Sequence, residues 1–183
     1  NLELETWLDA EANPAMNADG YAAIQYDYDL SNSSTEQRYY EYYLDENGEP
    51  VAANNNAWGV YTLYYPVTKV HRITYIDQNE EPITITDGYA ILEYEDDENG
   101  NRVWEGYFDE IHAQINCAEG YSSVERGYDN EGRLISERYL DRYNKLINNA
   151  EGVAGWNGYY DEDGNWIFKY NEDESGYGGS GSR

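Results

Sequence analysis

The sequence predicts an all-β protein, and three of its features support that fold class. The chain holds 22 Tyr and 5 Trp among its 183 residues, and aromatic residues favour strands and bury large areas. Asp-Gly and Asn-Gly pairs recur between the aromatic runs, as tight hairpin turns require. No window carries a sustained helical stripe of apolar residues, so we expect strands, short turns and little helix.

A period of 32 residues organises these strands and turns. Four aspartates stand 32 residues apart, each preceded by a large apolar residue and, one position earlier, by a tyrosine. The aspartates are Asp45, Asp77, Asp109 and Asp141, and the tyrosines are Tyr43, Tyr75, Tyr107 and Tyr139. Periods of about 20–50 residues are typical of stacked units. The sequence therefore predicts an elongated, solenoid-like array of stacked β-hairpins with a ~32-residue repeat.

The same period defines the expected domain organisation. The array covers residues 1–170, and the tail covers residues 171–183. The five repeats lie near residues 7–42, 43–74, 75–106, 107–138 and 139–170. The tail is rich in Gly and Ser, a linker composition that we expect to be flexible alone.

The charge of the chain excludes several kinds of partner. With 37 acidic against 11 basic residues, the formal net charge is -26, so nucleic acid and anionic membranes are poor partners.

No run of about 18 apolar residues is present, so we expect no membrane insertion. The single cysteine, Cys117, allows no intrachain disulfide. The charge also keeps a Tyr-rich array soluble and blocks pairing between strand edges.

The repeat resembles tandem Tyr-Asp-Gly repeats of bacterial surface and secreted proteins. The segments that carry the resemblance are 44–51, 88–90 (Gly-Tyr-Ala), 97–101 (Asp-Glu-Asn-Gly-Asn) and 107–109 (Tyr-Phe-Asp). Residues 128–135 resemble one YD repeat of the RHS type. The hairpin spacing is more loosely similar to choline-binding and clostridial-toxin repeats, but their regular Gly-Trp opening is missing here. The resemblance covers about residues 5–170 and implies a β-hairpin array on the bacterial cell surface or outside the cell.

Aromatic residues beyond those that the repeat requires crowd two stretches of the chain. Exposed aromatic rings beside carboxylates bind neutral sugars or cationic groups, and they equally anchor protein interfaces. We therefore predict a protein or glycan surface as the partner. The predicted ligand-binding residues are Tyr40, Tyr42, Tyr61, Tyr65, Tyr159 and Trp166.

Catalysis finds little support in the sequence. His71 and His112 fall at different places in the repeat, and no G-x-S-x-G or H-E-x-x-H motif is present. A glycosidase needs two carboxylates across a cleft, which a narrow stack of hairpins rarely forms. We expect a protein without enzyme activity, catalytic residues or an organic cofactor.

Two acidic turns are candidate calcium sites, because hard cations require several oxygen ligands at once. The candidate ligands are Asp97, Asn99, Asn101, Asp161, Asp163 and Asn165. In the alternative interpretation each Asp bonds the backbone two residues on, and Gly takes the left-handed conformation of a hairpin turn. Turn chemistry alone requires these residue types, and this favours the alternative.

The leading functional hypothesis is a secreted or surface-displayed adhesion module that binds its partner through aromatic and acidic patches. The alternative is a structural subunit of an extracellular filament or homo-oligomer, formed by head-to-tail stacking of repeats. In that case the tail adds as a strand to the next subunit. The residues predicted for this interface are Trp7, Tyr170 and Tyr177.

Overall fold

The computed structural model describes residues 2–28, 35–172 and 178–179. Within these ranges the regular elements are strands and isolated bridges, and no helix is present. The predicted all-β class is confirmed. No helix among the described residues is long and apolar enough to cross a bilayer.

The chain divides into two compact units, residues 1–92 and 93–183. In the first unit, successive strands are antiparallel and each is hydrogen bonded to the next one along the chain. These strands are β1 (Leu2–Thr6), β2 (Ala23–Tyr28), β3 (Gln37–Leu44), β4 (Gly59–Tyr65) and β5 (Val70–Ile76). Strand β6 (Ile91–Asp96) crosses the division between the units.

The second unit is also an antiparallel meander. Its strands are β7 (Arg102–Phe108), β8 (Ser123–Tyr128), β9 (Leu134–Leu140), β10 (Gly155–Tyr160), β11 (Trp166–Glu172) and β12 (Gly178–Gly179). The short strand β12 pairs with β11 of the same chain. The described part of the tail therefore lies along the last long strand.

Each aspartate of the 32-residue period begins a turn that its own carboxylate holds. The Oδ1 atom of Asp45 accepts hydrogen bonds from the backbone N–H groups of Asn47 (2.8 Å) and Glu49 (2.9 Å). Its carbonyl accepts a bond from the N–H of Gly48 at 3.1 Å. An isolated bridge between the flanking residues then closes the turn. The same pattern occurs at Asp9, Asp77, Asp109 and Asp141.

The fourth residue of this turn adopts a left-handed conformation even where it is not glycine. Gly48 has a φ angle of 79°. The equivalent residues have φ angles from 58° to 65°, and they are Ala12, Glu80, His112 and Asn144. A residue with a Cβ atom loses roughly 1–2 kcal/mol in this region. The turn hydrogen bonds and the closing bridge therefore offset a local backbone cost in four of five cases.

The buried residues of each unit cluster at the strand ends that lie beside the Asp turns. In the first unit Ala23 and Ile24 are adjacent and point to opposite faces of the sheet, yet both are buried. Their pairing partners on β3, Leu44 and Tyr43, are buried as well. The corresponding buried residues of the second unit are Ser123, Val124, Tyr139 and Leu140. Both faces are thus covered at the strand ends beside the Asp turns, and the opposite ends carry more exposed aromatic rings.

Candidate functional site

The tyrosines of the 32-residue period belong to aromatic columns inside each unit. In the first unit the Tyr21 ring lies 5.3 Å from the Trp7 ring and 4.5 Å from the Tyr43 ring, nearly parallel to the latter. Trp7, predicted as an interface residue, thus packs edge-on against its own unit. A similar group in the second unit consists of Tyr107, Tyr121 and Tyr139. These rings stabilise the units by mutual packing.

Three of the predicted ligand-binding tyrosines lie together on one face of the first-unit sheet. Tyr40 stands directly opposite Tyr61 across β3 and β4, with 4.6 Å between the ring centroids. The Tyr42 ring lies 5.8 Å from Tyr40 and parallel to it. All three side chains are half-buried. Burial is the main cause that raises the pKa of Tyr42 and of Tyr61.

The Tyr42 hydroxyl donates a hydrogen bond to Oε1 of Glu80 at 2.9 Å. Beside it lies a pocket of about 310 Å³, lined by Gln25, Tyr42, Leu44, Gly48, Pro50, Trp58, Asp77, Gln78 and Glu80. Tyr65 lies four residues beyond Tyr61 on the same face of β4, and the Arg72 guanidinium lies 5.8 Å from its ring. The first unit thus brings stacked tyrosine rings and the Glu80 carboxylate together.

Trp166 lies in an aromatic groove of the second unit. Along β10, Trp156, Gly158 and Tyr160 point to one face, where Trp166 and Phe168 of β11 meet them. The Trp166 ring lies 5.6 Å from Trp156 and 5.1 Å from Tyr160, both edge to face. The open groove has a volume of about 530 Å³ and is lined by Leu134, Trp156, Tyr160, Trp166, Phe168 and Asn171.

Two backbone features shape this groove. The pairing between β10 and β11 shifts between Asn157 and Gly158, which places Phe168 opposite Gly158. A Cβ atom at Gly158 would lie 2.3 Å from Cη2 of Trp166 and 2.8 Å from the carbonyl oxygen of Ile167. Only glycine therefore allows the Trp166 indole to rest against the strand.

Polar groups fix the aromatic rings at the rim of the groove. The Nε1 atom of Trp156 donates a hydrogen bond to Oε2 of Glu137 at 2.9 Å. The Arg133 guanidinium lies 4.2 Å from the centroid of Tyr160 and pairs with Asp129 at 2.7 Å. Charged groups behind the groove thus hold two of its lining rings, Trp156 and Tyr160, in place.

The remaining predicted aromatic residues lie elsewhere. Tyr159 pairs with Ile167 on the opposite face from the groove and is 50% exposed, so it does not share a site with Trp166. Tyr170 stands opposite Asn157 and is half-buried. Tyr177 lies outside the described residues. The sequence reasoning did not select Trp156 or Phe168, although the two-residue spacing of 156, 158 and 160 indicates a shared face.

The two candidate calcium turns use their carboxylate oxygens for internal hydrogen bonds. Oδ1 of Asp97 accepts the backbone N–H groups of Asn99 (2.8 Å) and Asn101 (2.9 Å). Oδ2 accepts the Asn101 side-chain amide at 2.9 Å. These hydrogen bonds lower the pKa of Asp97. In the other turn Asp161 accepts the same backbone bonds, from Asp163 and Asn165.

This geometry is that of the turn interpretation. Among the described residues, no group of three or more His, Cys, Asp and Glu side chains is arranged to hold a metal ion. A calcium ion at Asp97 or Asp161 would compete with the turn hydrogen bonds for the same oxygens. Calcium binding at these turns stays a prediction.

A charged network crosses strands β7, β8 and β9 of the second unit. Nε of Arg126 lies 3.0 Å from Oε1 of Glu137, and its Nη1 lies 3.5 Å from Oε2 of Glu105. Arg102 pairs with Glu105 at 2.9 Å, and the Tyr107 hydroxyl donates to the same carboxylate. Burial raises the pKa of Glu105, but the Tyr107 hydrogen bond and the two guanidinium groups outweigh burial and lower it overall.

The first unit has a glutamate at the equivalent position of the repeat, Glu41, 64 residues before Glu105. Burial raises the pKa of Glu41, and the nearby charge of Glu5 raises it further. A hydrogen bond from Tyr39 acts in the opposite direction without reversing the shift. The same repeat position thus carries a stabilised carboxylate in one unit and a destabilised one in the other.

Comparison with known proteins supplies no family for this chain. No model of a known protein family matches it, and no curated protein sequence matches it.

Proposed function

We propose that this chain is a non-catalytic binding module that takes a sugar of a glycan in the groove of its second unit. The observation that carries this proposal is the convergence of Trp156, Tyr160, Trp166 and Phe168 on one open groove. Trp166 and Phe168 are 38% and 45% exposed, so ring surface is accessible to a ligand. Apolar rings with a few placed polar groups are typical of such sites. The side-chain amide of Asn171 supplies a donor and an acceptor for ligand hydroxyls.

The charge of the chain selects among glycans. A net charge of -26 repels uronic and sialic acids, whereas neutral sugars are unaffected and amino sugars are attracted. Aromatic faces also attract cations, which adds to the preference for amino sugars. We therefore expect neutral or cationic glycans as ligands.

The wider architecture that we propose is a solenoid-like array of ~32-residue repeats, displayed outside the cell or on a bacterial surface. Five isolated bridges support the array, because they recur at the same place in each repeat. They are Leu8–Pro14, Leu44–Pro50, Ile76–Pro82, Phe108–Gln114 and Leu140–Leu146. The resemblance to surface repeats supports the location. A surface array presents its exposed aromatic rings to glycans of a wall or of a neighbouring cell.

The test is a glycan array followed by calorimetry with the best neutral oligosaccharide. A double substitution, Trp166→Ala with Phe168→Ala, removes the two exposed rings, and we expect an affinity loss of at least about tenfold, which equals 1.4 kcal/mol. Ile167→Ala is the matched control, since Ile167 lies between them in sequence and points to the other face. If the double variant binds the glycan as tightly as the Ile167→Ala control, the groove is not the glycan site. Retention of a protein in place of a glycan, dependent on the same rings, would identify a protein partner.

The alternative function, self-assembly, is favoured by a separate observation. Leu4 and Leu8 of the first unit lie four residues apart and are 64% and 57% exposed. A head-to-tail contact that covers them would extend into a filament. Light scattering after size exclusion tests this for the chain and for Leu4→Ser with Leu8→Ser. A concentration-dependent mass that the substitutions abolish supports assembly, and a mass that stays monomeric as the concentration rises contradicts it.

A further inference from the structure

Trp58 departs from the repeat at a position where the other repeats carry a small residue. Its carbonyl oxygen accepts the backbone N–H of Tyr43 at 3.0 Å. The residues whose carbonyls accept the same bond in the other four repeats are fully buried, and they are Ala22, Ala90, Ser122 and Ala154. Trp58 is half-buried, so part of this residue reaches the surface. Positions that break an otherwise regular pattern are often functional sites.

Two further side chains that the repeat does not require meet Trp58 at one pocket. Tyr42 stands where the next repeat has Thr74. Glu80 occupies the left-handed turn position at which the preceding repeat has Gly48. Trp58, Tyr42 and Glu80 all line the pocket of about 310 Å³ described above. The departures from the repeat therefore converge on one cavity of the first unit.

The lining of this pocket combines apolar walls with carboxylates. Leu44, Pro50 and Trp58 supply apolar surface, Asp77 and Glu80 supply carboxylates, and two glutamines add amide oxygens. None of the described residues that line the pocket is a lysine, an arginine or a histidine. The indole face attracts cations, and the net charge of -26 raises their local concentration. The pocket thus matches a ligand with an aliphatic stem and a cationic head.

The hydrogen bonds of the two carboxylates select among cations. Oδ1 of Asp77 accepts the backbone N–H groups of Asn79 and Glu81, and its Oδ2 accepts the Asn79 side-chain amide. Oε1 of Glu80 accepts the Tyr42 hydroxyl, whereas Oε2 accepts no hydrogen bond from the described part of the chain. One available oxygen suits the point charge of an ammonium better than a guanidinium, which pairs with two oxygens. A trimethylated ammonium has no N–H to donate to it.

We infer that this pocket binds the side chain of a lysine on a partner protein. The lysine stem packs against Leu44, Pro50 and Trp58, and its ammonium donates a hydrogen bond to Oε2 of Glu80. Small-molecule sites begin at about 300 Å³, so the space suits one side chain.

The rings beside the pocket favour a protein as the source of this lysine. Tyr42 lines the pocket, and the Tyr40 ring lies 5.8 Å from Tyr42 and 4.6 Å from Tyr61. Tyrosine rings anchor protein interfaces, so the surface around the lysine can rest on Tyr40 and Tyr61. The site lies within the first unit and is independent of the glycan groove in the second.

The experiment titrates the peptide acetyl-Gly-Lys-Gly-amide into the ¹⁵N-labelled chain in about 150 mM salt. NMR follows the indole N–H of Trp58 and the backbone N–H of Gly48, which also lines the pocket. We expect saturable shifts with millimolar peptide and at least about threefold weaker binding of matched arginine and trimethyllysine peptides. These controls carry the same charge, so they separate recognition of the ammonium from general attraction to an acidic chain. Equal binding of either control, or tighter binding of glucosamine, would overturn the inference.

Three variants locate the binding. Glu80→Gln removes the charge of the acceptor and keeps its size, so we expect at least about tenfold weaker binding. Glu81→Gln is the matched control, because it removes the same charge at the next residue, whose side chain does not line the pocket. Trp58→Ala introduces the residue that three other repeats carry, so the chain should fold, and it should also weaken binding about tenfold.

The two reporters decide the outcome for these variants, since the Gly48 signal remains when the Trp58 indole is removed. Weaker binding by Glu80→Gln and Trp58→Ala, with Glu81→Gln close to the natural chain, supports the inference. Equal losses in Glu80→Gln and Glu81→Gln, unchanged binding by Trp58→Ala, or no saturable shift in the natural chain would overturn it.

Discussion

The charged network of the second unit allows a quantitative prediction for Arg126→Met. The substitution keeps most of the aliphatic stem and removes the guanidinium that joins Glu105 to Glu137. Removal of one partner from a fully buried ion pair costs about 3–5 kcal/mol. The three side chains retain 12–19% exposure, and Arg102 and Tyr107 still contact Glu105. We therefore expect the free energy of unfolding to fall by about 2–3 kcal/mol at pH 7.

Urea unfolding followed by near-ultraviolet circular dichroism measures this change. With a slope of about 1–3 kcal/mol per molar urea, the midpoint should fall by roughly 1 M. Arg138→Met is the matched control, because it removes the same charge from β9. The Arg138 side chain is 47% exposed and lies 3.7 Å from Glu125, so its loss should cost less than about 1 kcal/mol.

The effect of pH separates lost charge pairing from lost packing. The folded pKa of Glu105 is lowered, so its contribution to stability is present above the unfolded pKa of about 4.3 and is lost as pH falls through the folded value. The cost of Arg126→Met should therefore shrink markedly at pH 3.5. An equal cost at pH 7 and pH 3.5, or a cost no larger than that of Arg138→Met, would refute the reasoning.

Three further predictions follow from the first and second units. Glu41→Gln should raise the free energy of unfolding at pH 7. The raised folded pKa of Glu41 means that the protonated carboxyl stabilises the protein at low pH, and this contribution is lost as pH rises. Urea unfolding curves at pH 7 and pH 4 should therefore show the gain only at pH 7. Asp97→Asn should keep more stability than Asp97→Ala, since the amide oxygen still accepts the turn hydrogen bonds. Thermal melts of the natural chain with and without millimolar Ca²⁺ should coincide. A calcium-dependent rise in Tm that Asp97→Ala abolishes would establish the calcium site. Ala12→Gly should stabilise the chain by about 0.5–1 kcal/mol in urea unfolding, because φ at Ala12 is 65°, and a loss of stability would contradict the turn geometry.

The turns of this protein could be predicted from the sequence because their chemistry is local. Asp45 and Gly48 lie three residues apart, and both the Asx bonds and the left-handed glycine depend on those residues alone. Glu80 and His112 occupy the same left-handed position without any such signal. Their turns are recognised only by the period, because the Asp and the closing bridge impose the conformation.

The groove could be predicted only in part. Aromatic density along the sequence indicates Trp166, but its neighbours depend on strand pairing across a bulge, which no local pattern shows. The shift between Asn157 and Gly158 decides that Phe168 faces the groove. The same dependence on register applies to Arg126, whose partners lie 21 and 11 residues away in sequence. Residues joined across strands are thus hidden until the register is known.

The meander of each unit has a consequence for how the chain folds. Every strand from β1 to β5 pairs with the next one in sequence, so the contacts that form the sheet span short stretches of chain. Low contact order reduces the entropy lost before a contact forms and speeds folding. A growing chain can therefore complete its first hairpins during synthesis, without waiting for distant segments. Tyrosine-rich strands, which aggregate readily when exposed, are then paired soon after they are made.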